Sequence, residues 1–269
     1  MDLTQLSSLG LRTDLALLQL GGTTLEDRGD HVVVRSPHNP LHWWGNFLLL
    51  RKVPPADEVD GWLQRFTEAF PGARHRTFAF DGTGGTVDDL AAWTERGLSC
   101  EAQTVMTATA VHAPPRPNDQ ATYRRLVSDD DWAQSVALRT ACDDGTEDPA
   151  DRLEFDTLKV ASNRAMAEDG HGGWFGAFVD GEMVAQMGLY RASEGLARFQ
   201  SVETHPDHRG RGLAGTLVHH VSQVGFTELG ARTLVMVADP TYLAIRVYRS
   251  VGFADTESQL QAEKGPRDA

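Results

Sequence analysis

Residues 200–217 read QSVETHPDHRGRGLAGTL, and this stretch is the most informative part of the sequence. A predicted strand ends at Thr204, a polar loop with a proline follows, and glycines open a predicted helix. Gly210 and Gly212 have no side chain, so backbone N–H groups there can approach a ligand closely. A helix N-terminus also offers unpaired N–H donors and a partial positive charge, and both attract an anion. The stretch therefore predicts an anion site.

Two arginines flank these glycines. Arg209 and Arg211 supply cationic donors whose planar geometry suits phosphate oxygens. The whole chain has a net charge of −13, so arginines concentrated at one helix start stand out against it. The pattern predicts a ligand that carries several phosphates.

The same stretch contains G-x-G-x-x-G at Gly210, Gly212 and Gly215, which is the pattern of dinucleotide-binding folds. That pattern needs a strand running directly into the first glycine, whereas residues 205–210 intervene here with a proline among them. Only residues 216–269 follow the motif, too few for a nucleotide-binding fold that begins with it. Dinucleotide binding remains a minor alternative, and a P-loop is excluded because no Gly-Lys-Ser/Thr follows.

The elements around this stretch predict an α/β fold in which helices flank a mixed central sheet. From residue 121 onward the predicted order is β-α-α-β-β-β-α-β-α, followed by a weak strand near residues 258–262. Asp180-Gly181 is a hairpin signal between two apolar runs. The predicted strands are 122–127, 174–179, 183–190, 196–204 and 234–237, and the predicted helices are one capped at Ser128 and those near 150–168, 213–224 and 242–251.

A proline-rich run divides the sequence into two predicted domains. Residues 113–119 read APPRPND, a stiff and extended composition, so a linker is expected at 113–120. Domains at 1–112 and 121–262 follow. Strand and helix signals in the first domain repeat those of the second more weakly, which predicts a tandem duplication.

Two separated motifs resemble the GNAT superfamily of N-acetyltransferases. RGRGLA at 209–214 resembles the family's R/Q-x-x-G-x-G/A signature, and Thr-His-Pro at 204–206 resembles its V-x-P lead-in. AIRVYRSVGF at 244–253 resembles a second family feature, A-I-x-L-Y-x-x-x-G-F. The motifs occur in the family's order, and the resemblance covers residues 121–262. It implies the GNAT fold, with a first domain that has lost its coenzyme site.

This resemblance implies acetyl-CoA as co-substrate and no metal. The loop would hold the coenzyme A pyrophosphate, while backbone groups of Val202 and Thr204 would pair with the pantetheine arm. Thr241 stands where the family usually has asparagine. The implied cofactor-binding residues are Val202, Thr204, Arg209, Gly210, Arg211, Gly212, Leu213, Ala214, Gly215 and Thr241.

Glu203 and Tyr248 are the candidate catalytic residues. Strand alternation places Ser201 and Glu203 on one face, where the Glu203 carboxylate could take a proton from an ammonium group. The alternative is a solvated glutamate at a strand end. The resemblance implies that Tyr248 protonates the departing thiolate, and the alternative is a tyrosine that packs its helix on the sheet.

The resulting hypothesis is an N-acetyltransferase that moves an acetyl group from acetyl-CoA to a primary amine, expected to be a small molecule, by direct attack in a ternary complex. A non-catalytic acyl-CoA sensor is the alternative, since it needs the loop but neither catalytic residue. A homodimer is left open.

Composition bounds the remaining choices. Acidity (pI about 5.1) argues against nucleic-acid and membrane partners. The start lacks a signal-peptide pattern, and Cys100 and Cys142 share no motif, so a cytoplasmic setting is expected. The histidines at 205, 208, 219 and 220 are interpreted as surface residues, and Trp43 and Trp44 as core or as the lining of an acceptor pocket or domain interface.

Overall fold

The computed structural model describes residues 1–143, 145 and 148–265. The helices are α1 Leu9–Leu20, α2 Val59–Ala69, α3 Ala91–Thr94, α4 Asp129–Ala141, α5 Pro149–Glu168, α6 Leu213–Thr227 and α7 Ala244–Arg249. The strands are β1 Thr24–Asp27, β2 His31–Arg35, β3 Asn46–Leu50, β4 Arg76–Phe80, β5 Ser99–Ala108, β6 Thr122–Arg125, β7 Gly172–Val179, β8 Glu182–Ser193, β9 Leu196–Thr204, β10 Thr233–Ala238 and β11 Ala254–Lys264. The predicted α/β class with a mixed sheet and flanking helices is confirmed.

The chain forms two compact units. The first contains Met1–Val105, Val237–Pro240 and the described residues from Asp255 onward, and the second contains Met106–Met236 and Thr241–Ala254. Most of β11 therefore belongs with the first unit, although the sequence grouped residues up to 262 with the second domain. The predicted bounds of 1–112, 113–120 and 121–262 stay a prediction.

The first unit orders its strands β1-β2-β3-β4-β11-β5. β1 to β3 pair antiparallel, β3 pairs parallel with β4, and β11 pairs antiparallel with β4 through Leu260 opposite Phe80. Leu260 and Ala262 are buried in the same apolar cluster as Phe66, Phe78 and Trp93. This burial stabilises the last strand in the first unit. The sequence did not predict the placement, because side-chain alternation does not specify which strand lies next to it.

Sequence reasoning missed the first elements of this unit. Helix α1 begins after Ser8, whose hydroxyl accepts a hydrogen bond from Leu11 N at 3.2 Å, and the hairpin β1–β2 follows. The two tryptophans pack within the unit: Trp43 stacks on the His75 ring with centroids 5.7 Å apart, and Trp44 Nε1 donates to Glu263 at 2.9 Å. Both contacts are structural.

The second unit orders its strands β10-β9-β8-β7-β6. β6 to β9 pair antiparallel and β9 pairs parallel with β10. Helix α6 buries Leu217, Val218 and Val221, and β7 and β8 bury Trp174 and Tyr190. Since the helix positions recur at helical spacing and the strands are apolar on both faces, these elements form one α/β layer structure.

The chain repeats one order of elements. Its first part runs α1-β1-β2-β3-α2-β4-α3-β5 and its second part runs α5-β7-β8-β9-α6-β10-α7-β11, with the same succession of antiparallel and parallel pairs among the first four strands of each. The loop between β3 and α2, residues 51–58, contains no glycine. It therefore lacks the glycine cradle that 205–212 supplies between β9 and α6.

Asp131 links the start of α4 to β6 through hydrogen bonds. Its carboxylate accepts hydrogen bonds from Arg124 Nη2 at 2.6 Å and from the backbone of Val127 at 2.9 Å and Ser128 at 3.1 Å. These bonds, that from Arg124 above all, hold the pKa of Asp131 well below its usual range. We expect Asp131→Asn to lower the free energy of unfolding by about 1.5–3 kcal/mol at pH 7.

Urea unfolding at pH 7 and pH 3 measures this difference. Because the folded pKa is depressed, the carboxylate's contribution is present above the unfolded pKa of about 4 and fades as the pH falls below it. Asp129→Asn is the matched control, since Asp129 lies in the same turn with its side chain 90% exposed. Equal stability of both variants at pH 7 would contradict the assignment.

Candidate functional site

The loop between β9 and α6 is shaped by one short turn and two glycines. Pro206–His208 form a 3-10 turn, in which His205 Nδ1 accepts a hydrogen bond from Asp207 N at 3.3 Å. Gly210 has φ +75° and Gly212, the N-cap of α6, has φ +79°. Other L-residues lose roughly 1–2 kcal/mol in this region. Backbone conformation therefore requires glycine at both positions, besides any approach of a ligand.

The first turn of α6 presents open N–H donors. Thr216 N donates to Gly212 O at 3.1 Å, and Gly212 has no side chain to cap the helix. Within the described ranges, nothing accepts a hydrogen bond from the N–H groups of Leu213, Ala214 and Gly215. Three aligned donors at the positive end of a helix form an anion site.

The proline-rich residues 114–118, here named the strap, pack on this loop. Asn118 Nδ2 donates to Arg211 O at 2.9 Å, and Asn118 N donates to Thr216 Oγ1 at 2.9 Å. A Cβ placed on Gly212 would collide with the backbone carbonyl oxygen of Arg116. The segment predicted as a linker thus contributes to the site.

A cavity of about 760 Å³ lies against the loop, the strap, β9 and the start of α7. Its lining contains most of the residues predicted from the sequence: Val202, Glu203, Thr204, Arg209, Gly210, Gly212, Leu213, Ala214 and Gly215. Arg211, Thr241 and Tyr248 are not among the lining residues. The Arg211 guanidinium donates to Asp207 O at 2.9 Å, within the loop itself.

Glu203 is held at the cavity wall by two partners. Gln186 Nε2 donates to Glu203 Oε2 at 2.7 Å, and Arg139 Nη1 lies 3.1 Å from Glu203 Oε1. Burial raises the pKa of Glu203 above its ordinary value, and the Arg139 charge and the Gln186 hydrogen bond only partly offset that effect. The predicted base is therefore a largely buried, oriented carboxylate, not a solvated one.

The Gln186 amide can point only one way. Its Oε1 accepts from Ser135 Oγ at 2.6 Å and from Trp174 Nε1 at 2.8 Å, so its Nε2 must face Glu203. Behind Arg139, Asp156 accepts from Arg139 Nε at 2.9 Å and is fully buried. Glu203 is thus the cavity end of a fixed polar network.

A bulge interrupts β9 just before Glu203. Gln186 pairs with Glu203 and Gly188 pairs with Gln200, so two residues of β9 oppose one of β8. Ser201 there has φ +41°, an unusual conformation for serine. The prediction that Ser201 and Glu203 share one face assumed regular alternation along the strand. The bulge interrupts that alternation, so the prediction does not hold here.

Tyr248 is buried in α7 with 6% of its surface exposed. Burial, reinforced by nearby Tyr242, raises the pKa of its phenol, so the hydroxyl is protonated at neutral pH. Ala244 and Val247 of the same helix line the cavity. Its proposed catalytic role stays a prediction, and the structure also shows the packing role that was the alternative.

The lining includes residues that sequence reasoning missed, notably Arg116, Cys142, Arg152 and the exposed pair Tyr242 and Leu243. Cys142 Sγ donates to Thr204 O at 3.5 Å, and Arg209 Nε donates to the same oxygen at 3.2 Å. Only proximity to the second motif could have indicated the Tyr242–Leu243 pair.

Metal ligands and membrane-spanning helices are two further features that bear on function. Over the part of the chain that is described, no group of three or more His, Cys, Asp or Glu side chains could hold a metal ion. His205 and His208 instead make an edge-on ring contact at 5.7 Å. No described helix combines the length and apolarity that crossing a membrane requires.

Comparisons with known proteins agree with this geometry. The model of the Acetyltransferase (GNAT) family matches residues 136–253, which include β9, the glycine loop and α7. Over residues 136–253 the chain is therefore similar to the GNAT acetyltransferases. The predicted family is thereby confirmed, and no curated protein matches the sequence significantly.

Solved structures share the GNAT fold over most of the chain. A GCN5-related N-acetyltransferase from Kribbella flavida is 16% identical with a TM-score of 0.63, covering 96% of each chain. A tandem GNAT protein from the clavulanic acid biosynthesis pathway is 14% identical with a TM-score of 0.55, covering 92% of this chain and 87% of its own. A conserved protein of unknown function from Staphylococcus epidermidis is 12% identical with a TM-score of 0.66, covering 89% and 92%.

The residues of the GNAT domain fit acetyl-CoA, the acetyl donor that this family typically uses. The open N–H groups of Leu213, Ala214 and Gly215 suit the pyrophosphate oxygens. Arg209 adds positive charge at the same cavity. The family match supports acyl transfer in general and does not identify the acceptor.

Proposed function

We propose that the protein transfers the acetyl group of acetyl-CoA to a primary amine of a small molecule, by direct attack in a ternary complex. One observation carries the proposal: a single cavity is lined both by the open first turn of α6 and by the oriented Glu203 carboxylate. A phosphate site and a proton acceptor in one cavity are what amine acetylation from a nucleotide thioester requires.

Glu203 takes the proton of the acceptor ammonium, directly or through one water. Burial raises the pKa of Glu203 toward neutral pH. A general base is most effective when its pKa lies near the working pH. Gln186 and Arg139 hold both oxygens in place, which lowers the entropy that positioning would otherwise cost.

The freed amine nitrogen attacks the thioester carbonyl carbon, and a C–N bond forms as the C–S bond breaks. Backbone N–H groups near Thr204, next to the bulge at Ser201, stabilise the negative charge that develops on the carbonyl oxygen. The leaving thiolate takes a proton from Tyr248. The nitrogen is positively charged once the C–N bond has formed, and its second proton restores the Tyr248 phenol, while the first proton passes from Glu203 to solvent.

We expect Tyr248→Phe to lower kcat about 10²-fold, because the thiolate then leaves without a proton donor. The Kd for acetyl-CoA should change little, because phenylalanine keeps the buried ring that packs α7 and removes only the hydroxyl. Single-turnover kinetics with chemistry as the limiting step measures this. A kcat equal to that of wild type would remove Tyr248 from the mechanism and leave it with packing alone.

A non-catalytic acyl-CoA sensor is the second candidate. The ion pair between Glu203 and Arg139 and the burial of Tyr248 favour it, since both side chains already have structural partners. A sensor needs the loop and the cavity but no proton transfer. It predicts tight coenzyme binding with no turnover.

Two measurements test the proposal in sequence. Isothermal calorimetry with acetyl-CoA, and with NAD as the control nucleotide, measures binding. Thiol release in the presence of a panel of small amines then measures transfer. Binding followed by amine-dependent thiol release supports the proposed reaction, binding alone across a broad panel supports the sensor, and preference for NAD overturns both.

A further inference from the structure

The strap brings an arginine to the cavity from outside both family motifs. Pro114 is buried, and Asn118 fastens the other end of the strap to Arg211 O and Thr216 Oγ1, each at 2.9 Å. Between these two anchors, Pro115 and Pro117 restrict the backbone on either side of Arg116. The strap is thereby fixed at the end of the cavity where α6 begins.

Arg116 is the residue of the strap whose charged side chain is available to bind a ligand. Arg116 is exposed and is among the residues that line the cavity, and its guanidinium makes no hydrogen bond or ion pair to any described residue. Its own carbonyl oxygen lies against Gly212, the N-cap of α6. The guanidinium therefore starts from a backbone position beside the open N–H groups of the helix.

Charge and geometry favour a phosphate as its ligand. A guanidinium binds phosphate oxygens through paired N–H donors, and a helix N-terminus next to it adds donors of the same polarity. Two like-charged donor groups facing one cavity repel each other until an anion lies between them. Arg116 and the first turn of α6 form such a pair.

We propose that Arg116 binds a phosphate group of coenzyme A, with Asn118 holding the strap in place. This inference rests on the proposed function, because it assumes that the coenzyme binds this cavity. The strap is then part of the coenzyme site, and a segment that the sequence predicted as a linker acts in binding. The pyrophosphate and the 3′-phosphate are the two phosphates that it could contact.

Calorimetry on the full chain tests this with coenzyme A and dephospho-coenzyme A. We expect Arg116→Gln to weaken coenzyme A binding about 10- to 100-fold, the usual effect of losing a charge-assisted hydrogen bond. Arg232→Gln is the matched control: it removes the same charge from the second unit, at a side chain 73% exposed and outside the cavity lining. It should leave binding unchanged.

Each outcome decides a separate point. Equal losses for both ligands place Arg116 on the pyrophosphate, and a loss for coenzyme A alone places it on the 3′-phosphate; both support the proposal. Identical affinities of Arg116→Gln, Arg232→Gln and wild type overturn it and leave the proposed function standing. No binding by wild type overturns both.

Discussion

Glu203→Gln should lower kcat/KM for acetyl transfer by about 10²- to 10⁴-fold, while the Kd for acetyl-CoA changes little. Glutamine keeps the shape and the contact with Gln186 but cannot accept a proton. The loss therefore falls on amine deprotonation. The Arg139 guanidinium keeps Asp156 as its partner at 2.9 Å, so the fold should survive the change.

The pH profile separates this role from a structural one. Glu203 must be ionised to act as a base, so wild-type kcat/KM should fall as the pH drops through its raised pKa. In Glu203→Gln this acid limb should disappear along with most of the activity. A structural role predicts instead a lower free energy of unfolding with the limb retained.

Glu194→Gln is the control for the loss of one carboxylate, because the Glu194 side chain is 93% exposed. Its activity and pH profile should match those of wild type. If Glu203→Gln also keeps wild-type activity, Glu203 is not the base, and the sensor becomes the better account.

Gly212→Glu should abolish acetyl-CoA binding, with a Kd raised at least about 100-fold. Three effects add: a non-glycine residue at φ +79° is strained, its Cβ meets the Arg116 carbonyl oxygen, and a carboxylate enters an anion site. The second effect also displaces the strap. Strain of this kind costs about 1–3 kcal/mol, so unfolding should occur at a lower temperature too.

Gly230→Glu is the matched variant for Gly212→Glu. Gly230 has φ +65°, and no atom lies within 4 Å of the place where its Cβ would stand, so it carries the backbone strain without the collision or the site. Calorimetry and thermal unfolding on both variants separate the effects. Equal affinities of the two variants for acetyl-CoA would show that the glycine loop does not bind the coenzyme.

Local signals carried the sequence reasoning where it succeeded. Strand β9 was predicted at 196–204 and spans Leu196–Thr204, and α6 follows the glycines as expected. Alternation, a proline and two glycines act over a few residues, so their effect can be read without knowing the rest of the fold. The two GNAT motifs lie on these local elements, which is why the family was also within reach.

Distant contacts decided the rest. Asn118 and Arg211 are 93 positions apart, and no local pattern signals that the strap folds back on the glycine loop. The Arg139–Glu203 pair and the placement of β11 beside β4 depend equally on packing between segments far apart in sequence. The bulge at Ser201 escaped because it needs the register of two strands.

The glycine loop and the helix that follows it could be predicted from the sequence, because short-range backbone preferences fix both. The motifs on these elements then indicated the family. Which residues line the cavity together with that loop depends on tertiary packing, and no local pattern predicted it. Burial then set the protonation behaviour of Glu203, since desolvation depends on every segment packed around a carboxylate and not on its neighbours in the chain.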